Sequence, residues 1–424
     1  MLETLKNAWR VKELRNKILF TIFIIIIFRI GSVIPVPYIN VAMLKSAETT
    51  NEFFNYLSIL TGGGLEYGAI FAMSVTPYIN SSIIIQLLCV AIPALERLSK
   101  EGEEGQKKLA SITRYTTIGL ALLQGIAYFF YLKGNGYITV SGTGYLVFAA
   151  FVIVLAFTAG SALVMWLGEQ IDSKGIGNGI SILLFAGILS RGPQAFQVLV
   201  KNWSEHTVAV IGIVLIFLVV IGFIVWMTNA ERRIPVQYAK RVVGNKMYGG
   251  QNTHIPIKVN MAGVMPIIFA SSILMLPTMI LGFMSEKQQM TSFAKGLALF
   301  STRGVFYAVV YFVLIIAFAY FYATIQFNPI EMANNLRKNG GSIPGIRPGK
   351  PTSDFISKIL SRITLMGALF LSVIAILPII IGNIGGINIS LGGTSILIMV
   401  GVALDTVQNL ESQMMMRHYK GFLD

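Results

Sequence analysis

Val208–Thr228 reads VAVIGIVLIFLVVIGFIVWMT, an uninterrupted apolar run without a single charge. Roughly 20 helical residues cross a hydrocarbon core about 30 Å thick. Lipid offers no partner to backbone N–H and C=O groups, so such a run folds as a helix that satisfies its own backbone. Similar runs recur at Ile18–Val36 and Val305–Phe327 with charged stretches between them. With 54% hydrophobic and 12% charged residues, the chain has too little polar surface to coat a water-soluble globule. It reads as an all-α polytopic membrane protein.

Matching apolar runs to charged gaps predicts ten transmembrane helices, near 18–36, 75–93, 112–132, 147–168, 178–200, 207–228, 261–283, 305–327, 363–382 and 393–410. The fifth is the weakest, because Arg191 and Pro193 shorten its continuous core to 180–190. Assigning alternate loops to opposite sides places 25 of the 33 basic residues on one side. The other side holds seven: Lys45, Lys133, Arg191, Lys201, Lys287, Lys295 and Arg303. Arg29 lies inside the first span, where it is expected to snorkel outward or pair within the bundle. The positive-inside bias then makes both termini cytoplasmic. Most of the +14 formal charge is topology information and attraction to anionic phospholipids.

Catalytic groups inside the spans are scarce. There is no HExxH, no pair of intramembrane aspartates and one cysteine, Cys89, so no enzyme, cofactor or metal centre is expected. The closely spaced glycines of GIGNGI at 175–180 join two spans as a tight loop and lack the βαβ context of a nucleotide site. A secondary solute transporter with inverted repeats is the alternative class. Its coupling acid would come from Glu66, Glu169 or Asp405, none of which falls at mid-depth.

Two loops exceed what a bundle connection needs. Residues 229–260 alternate basic with β-branched and aromatic residues around a Gly-Asn tip, which suits a hairpin. Residues 328–362 begin as a helix and end in a Gly/Pro-rich tip carrying Arg347. Ordered basic projections of this kind can dock an acidic protein or the phosphate backbone of RNA.

One stretch breaks the pattern. GGGLEYGAIFAMSVTP, from Gly62 to Pro77, is apolar enough for lipid yet opens on three glycines and carries a proline. Composition alone allows a Pro-kinked span. It equally allows a short outer helix, roughly 62–74, whose loose backbone faces a water-accessible cavity.

The blocks FAMSVTPYINSSIIIQLL, LGEQIDSKGIGNGISILLFAGI, YAKR, QNTHIPIKVNMAGVMPIIFASSI, FNPIEMANNLRKNGGSIPGIRPGKPT and GGTSILIMVGVALD, in this order, resemble the SecY/Sec61-alpha family of protein-conducting channel subunits. The resemblance implies a protein translocase subunit of the bacterial plasma membrane, passing polypeptides across and laterally into the bilayer. It implies two inverted pseudo-repeat halves, 1–203 and 204–424, around an hourglass pore. It further implies the partners SecE, SecG, the SecA ATPase, the ribosome, signal sequences and nascent polypeptides; whether the channel works as a homodimer stays open. Carried over by motif, the pore ring is Val75, Ile79, Ile180, Leu184, Ile268 and Ile398, of which Val75 and Leu184 depart from the isoleucine-rich pattern but remain apolar. The plug is Gly62, Gly63, Gly64, Leu65, Glu66, Tyr67, Gly68, Ala69, Ile70, Phe71, Ala72, Met73 and Ser74. The lateral gate is Ser81, Ser82 and Gln86 on the second span with Asn260, Ser271 and Ser272 on the seventh. Arg241, Lys246, Arg347 and Lys350 belong to loops that meet SecA or the ribosome.

Overall fold

A computed structural model describes residues 9–48, 61–140, 142–201, 207–238, 241–243, 246–248, 252–261, 263–283, 296–297, 300, 304–385 and 393–420. The chain divides into two compact units, one of residues 1–210, 275–304 and 386–424, the other of residues 211–274 and 305–385.

The first unit holds α1 (Lys12–Gly31), α2 (Val41–Glu48), α3 (Thr76–Ala91), α4 (Pro93–Lys100), α5 (Glu103–Gly134), α6 (Thr143–Lys174), α7 (Gly179–Leu189), α8 (Gly192–Lys201) and α14 (Gly393–Lys420). Here α3 packs on α5, α5 on α6, and α7 on both α6 and α14. Ile92, extended at φ −111°, and Pro93 turn the chain by 104° between α3 and α4. Several hydroxyls in or at the end of the helices bond back to carbonyls one turn earlier, as at Thr21, Ser32, Thr117 and Thr158, which satisfies them in an apolar setting. The expected fifth span is broken into α7 and α8 at Ser190–Arg191, and Arg191 is buried at 6% exposure.

The second unit carries most of α9 (Thr207–Thr228), the start of α10 (Met265–Phe283), α11 (Val305–Gln326), α12 (Pro329–Lys338) and α13 (Lys350–Gly385). The expected hairpin is a larger structure. Strand β1 (Glu231–Tyr238) pairs antiparallel with β4 (Asn252–Lys258). Between them β2 (Arg241–Val243) and β3 (Lys246–Tyr248) form a ribbon. The Gly-Asn tip itself lies outside the described residues. A short β5 (Gly341–Ser342) adds to the far edge of β1, giving the order β4-β1-β5. The last third of the second loop is also not a loop: residues 350–362 are the beginning of α13, a helix of 36 residues.

Five helices among the described residues are long and apolar enough to cross a membrane, or six if α3 and α4 count as one bent span. Their outward faces are apolar: Leu218, Val219 and Trp226 on α9, Leu123 and Phe130 on α5, and Met366 on α13 are all exposed. Apolar surface repeated along several helices is covered by lipid, so the chain is a mostly helical multi-pass membrane protein.

Candidate functional site

The stretch that interrupts the helical pattern is held by backbone bonds, apolar packing and polar side chains together. Residues 61–75 do not form the short helix expected at 62–74; they run as a chain of turns. Gly62, Gly63 and Gly68 have φ of +66°, +88° and +53°, a left-handed backbone that a right-handed helix cannot contain. Backbone bonds from Ala69 N to Gly64 O (2.9 Å) and Ala72 N to Ala69 O (2.9 Å) fold the segment on itself. Others tie it to the link after α1: Val36 N donates to Gly68 O (2.9 Å) and Ile70 N to Ile34 O (3.0 Å). Irregular backbone at membrane depth is tolerated where protein satisfies it, and here protein does.

Its side chains enter a core. Leu65, Ala72 and Met73 pack with Val36, Ile39, Leu44, Tyr128, Leu132, Ile153 and Phe157, and Phe71 stacks on Phe28 with ring centroids 6.2 Å apart. Two helices approach by means of glycine. A Cβ on Gly160 of α6 would stand 2.0 Å from Ile70 O, and one on Gly31 of α1 would stand 2.1 Å from the Phe71 ring. A larger residue at Gly160 has to shift the Ile70 backbone or α6 itself, and one at Gly31 has to shift the Phe71 ring.

Three cations complete the seat. Arg29 Nη1 donates to Gly62 O at 2.9 Å, with Ser190 Oγ 3.3 Å from the same carbonyl. Arg191 forms a buried ion pair with Glu66. Lys45 Nζ sits 4.1 Å over the Tyr67 ring. These residues were missed as site residues, although the sequence carries a signal for them: Lys45 and Arg191 fall on the side poor in basic residues, and Arg29 lies within a span. At the other end, Ser74 is buried with φ +48° and a hydroxyl without a hydrogen-bond partner. A left-handed non-glycine residue in a buried turn marks local strain immediately before Val75 and α3.

The expected ring residues are apolar; Val75, Ile180, Leu184 and Ile398 are buried, and Ile79 and Ile268 are half-buried. Val75 (1% exposed) caps α3, with Ile79 one turn on. Ile180 and Leu184 lie on α7, and Ile398 lies on α14, which packs against it. Asn178 fixes the start of α7 by accepting from Ser181 N at 3.0 Å, and Gly179 N donates to Asp172 Oδ1 at 2.7 Å. The same two helices enclose a polar cleft of about 410 Å³ lined by Asn178, Ser181, Val402, Asp405, Gln408 and Asn409 among others. Ser181 lies one turn from Leu184, and Val402 one turn from Ile398, so the cleft adjoins the apolar positions. Ile268 is half-buried on α10 in the second unit.

Among the gate residues, Ser81 is fully buried and its hydroxyl donates to Thr113 O of α5 at 2.9 Å, which ties α3 to α5. Ser82 and Gln86 are half-buried and 3.5 Å apart through Gln86 Nε2. In the second unit Asn260 and Ser271 are nearly buried, Ser271 Oγ donating to Ile268 O at 2.9 Å, while Ser272 is half-buried. Of the transporter acids, Glu66 pairs with Arg191, and Glu169 with Arg114 at 2.6 Å.

The basic loops of the second unit share a core of their own. Ile234, Val236 and Ile257 pack with Leu336 of α12, Ile343 and Ile356, Leu360 and Ile363 of α13. Asn328 caps α12 through Ile330 N (3.1 Å) and Glu331 N (3.4 Å). Ile343 and Ile346 anchor the tip on this core, and Thr352 Oγ1 donates to Arg347 O at 2.8 Å. The Arg347 and Lys350 side chains are left exposed. Arg241 pairs in register with Tyr248 and Lys246 with Val243 on the ribbon.

The SecY family model matches residues 69–407. A protein translocase subunit SecY of Streptomyces coelicolor is 43% identical, and one of Bacillus licheniformis 44%, each alignment covering 100% of both chains. A solved structure described as a protein conducting channel superposes with TM-score 0.64 at 17% identity, over 94% of this chain and 92% of that one. A second, described as addressing the plug domain of SecY and its membrane seal, gives 0.62 at 18% identity with the same coverage. The chain belongs to the SecY family.

Proposed function

We propose that this chain is the pore-forming subunit of a protein translocase, a passive channel that passes secretory polypeptides across the bacterial plasma membrane and releases membrane proteins sideways into it. Ten spans in two halves, 1–203 and 204–424, surround the pore, with both termini cytoplasmic. Motion is supplied by a bound motor or by the translating ribosome, since a family of channel subunits brings no catalysis of its own. SecE and SecG complete the complex, and anionic phospholipids hold its basic face.

The observation that carries the reading is the seat of residues 62–74. An irregular segment enclosed by protein, fastened by polar contacts and followed at once by apolar Val75, suits a plug that rests on a narrow ring. The ring of Val75, Ile79, Ile180, Leu184, Ile268 and Ile398 blocks ions by dewetting and needs no charged gate. Ser81, Ser82 and Gln86 on one wall, with Asn260, Ser271 and Ser272 on the other, supply weak polar contacts of about 0.6–2 kcal/mol each, closing a seam that still opens. Arg241, Lys246, Arg347 and Lys350 present charge to SecA or the ribosome.

The test is reconstitution with SecE and SecA in vesicles. ATP should drive a signal-bearing preprotein inside, and a stalled chain should crosslink to Ile79 or Ile268. Deleting 62–74 should preserve transport while letting ions leak at rest. Vesicles that import no preprotein would overturn the channel reading, and a deletion mutant as tight as the parent would overturn the plug.

A further inference from the structure

We infer that Arg29, Lys45 and Arg191 form a cationic latch on residues 62–67, so that the resting channel is held shut by a buried ion pair and not by apolar packing alone. The inference rests on the plug reading above and adds what fastens the plug.

Each cation grips a different feature. Arg29 takes the Gly62 carbonyl at 2.9 Å, Arg191 the Glu66 carboxylate, and Lys45 the face of Tyr67 at 4.1 Å. The three come from α1, from the link between α7 and α8, and from α2, so one segment is tied to three places around its rim. The central pair is desolvated, with side-chain exposures of 7% for Arg191 and 10% for Glu66. Burial gives the pair its leverage: intact it is neutral, but with one partner gone the other remains as an uncompensated charge out of water. Removing one partner of such a pair displaces an equilibrium by on the order of 10²–10³-fold.

Two further facts fit a latch better than a fixed strut. The Glu66 side of the contact sits on a glycine-punctuated coil, with positive φ at Gly62, Gly63 and Gly68, so it moves without unfolding a helix. The other end of the segment carries the strained, unpartnered Ser74, so release relieves a local cost that the latch opposes. The placement also accounts for charges that orientation alone does not. Lys45, Arg191 and Arg29 run against the bias that puts most basic residues on one side, and all three converge on this segment.

The experiment compares Glu66→Gln, Arg191→Gln, Lys45→Gln, the exchange E66R/R191E and the 62–74 deletion in vesicles bearing a KCl gradient, without preprotein. Latching predicts a rise in resting conductance on the order of a hundredfold for each single change at the ion pair, and a rise of a few fold for Lys45→Gln. The sign of the leak separates a latch from damaged packing. Glu66→Gln leaves a buried arginine at the pore and should pass chloride preferentially; Arg191→Gln leaves a glutamate and should pass potassium preferentially. The exchange should restore a tight channel. Preprotein import on ATP addition by the same vesicles verifies folding, and where a glutamine variant fails to assemble, Arg191→Lys, which keeps the charge, should remain tight. Parental conductance in Glu66→Gln, or equal leaks of one selectivity that the exchange does not rescue, would overturn the latch. With a leaking deletion beside it, that result would leave the plug itself standing, whereas a tight deletion removes the plug.

Discussion

Two regions of this chain hold irregular or polar backbone in opposite ways. The sheet and helix block of residues 231–258 and 328–363 uses regular pairing: seven register pairs between β1 and β4, a capped α12 and a small aliphatic core. Residues 61–75 use no ladder. Their carbonyls and amides are taken one at a time, by Arg29, by Val36 and Ile34, and by their own turns. A ladder distributes stability over many equivalent bonds, so its loss is gradual. A seat gathers unlike contacts, backbone bonds, apolar packing and ion pairing, on one short irregular segment, so each can be tested by its own substitution. The block presents Arg347 and Lys350 from a regular frame, whereas the seat encloses an irregular segment.

The largest expected effect comes from filling the seat. Gly160→Val places atoms where Ile70 O already lies, 2.0 Å from the new Cβ. Either α6 yields or residues 62–74 leave their position, and overpacking of this severity costs about 3 kcal/mol or more. Resting ion conductance should rise toward that of the 62–74 deletion while preprotein import persists. A Gly160→Val channel that stays tight would show that the segment tolerates displacement without opening, and the contrast with the rigid block would lose its basis.

The block should answer differently to a change of comparable violence. Ile234 is 2% exposed on the inner face of β1. Ile234→Ala removes packing against Ile257 and Leu336 and should cost about 2–5 kcal/mol locally. Hydrogen exchange should quicken across β1, β4 and α12, and motor-driven import should fall because the docking side chains lose their frame. Resting conductance should stay at the parental level. A leak in this variant would mean that the two regions share one energy balance.

How far sequence reached differs between the regions for the same reason. Apolar runs such as 207–228 and 305–327 mark helices directly, because period and length are local properties. The strands at 231–258 were legible from β-branched alternation around a turn. Strand β5 was not, since two residues take their conformation from the edge they join. In the seat, the break itself was legible from Gly62–Gly64 and Pro77, but its conformation was not. Turns fastened by residues more than thirty positions away carry no local period, and the partner of Glu66 lies at Arg191, which sequence presented as an interruption of the fifth span. Serine shows the limit most clearly: Ser81 and Ser82 are alike in sequence, yet one bonds α5 and the other faces Gln86.

The smallest expected effect on stability, and so the cleanest test of the fixed frame, is Arg347→Glu. The side chain is exposed, and what holds the tip is backbone and buried aliphatic carbon: Ile343 and Ile346 against the core, Ile346 N donating to Ile343 O at 3.1 Å, and Thr352 Oγ1 on the Arg347 carbonyl. None of these involves the guanidinium, so unfolding should shift by no more than about 0.5 kcal/mol. Charge reversal at a docking surface acts on encounter and fit with a charged partner. Motor-driven import should weaken markedly, with a lower apparent affinity for the motor and a steeper loss as salt is reduced and like charges are less screened. Resting conductance should match the parent. Unchanged import would remove Arg347 from the docking surface while leaving its frame intact. Import lost together with a drop in stability would show that the tip is held by its arginine, and would narrow the distinction between a frame that presents residues and a seat that depends on them.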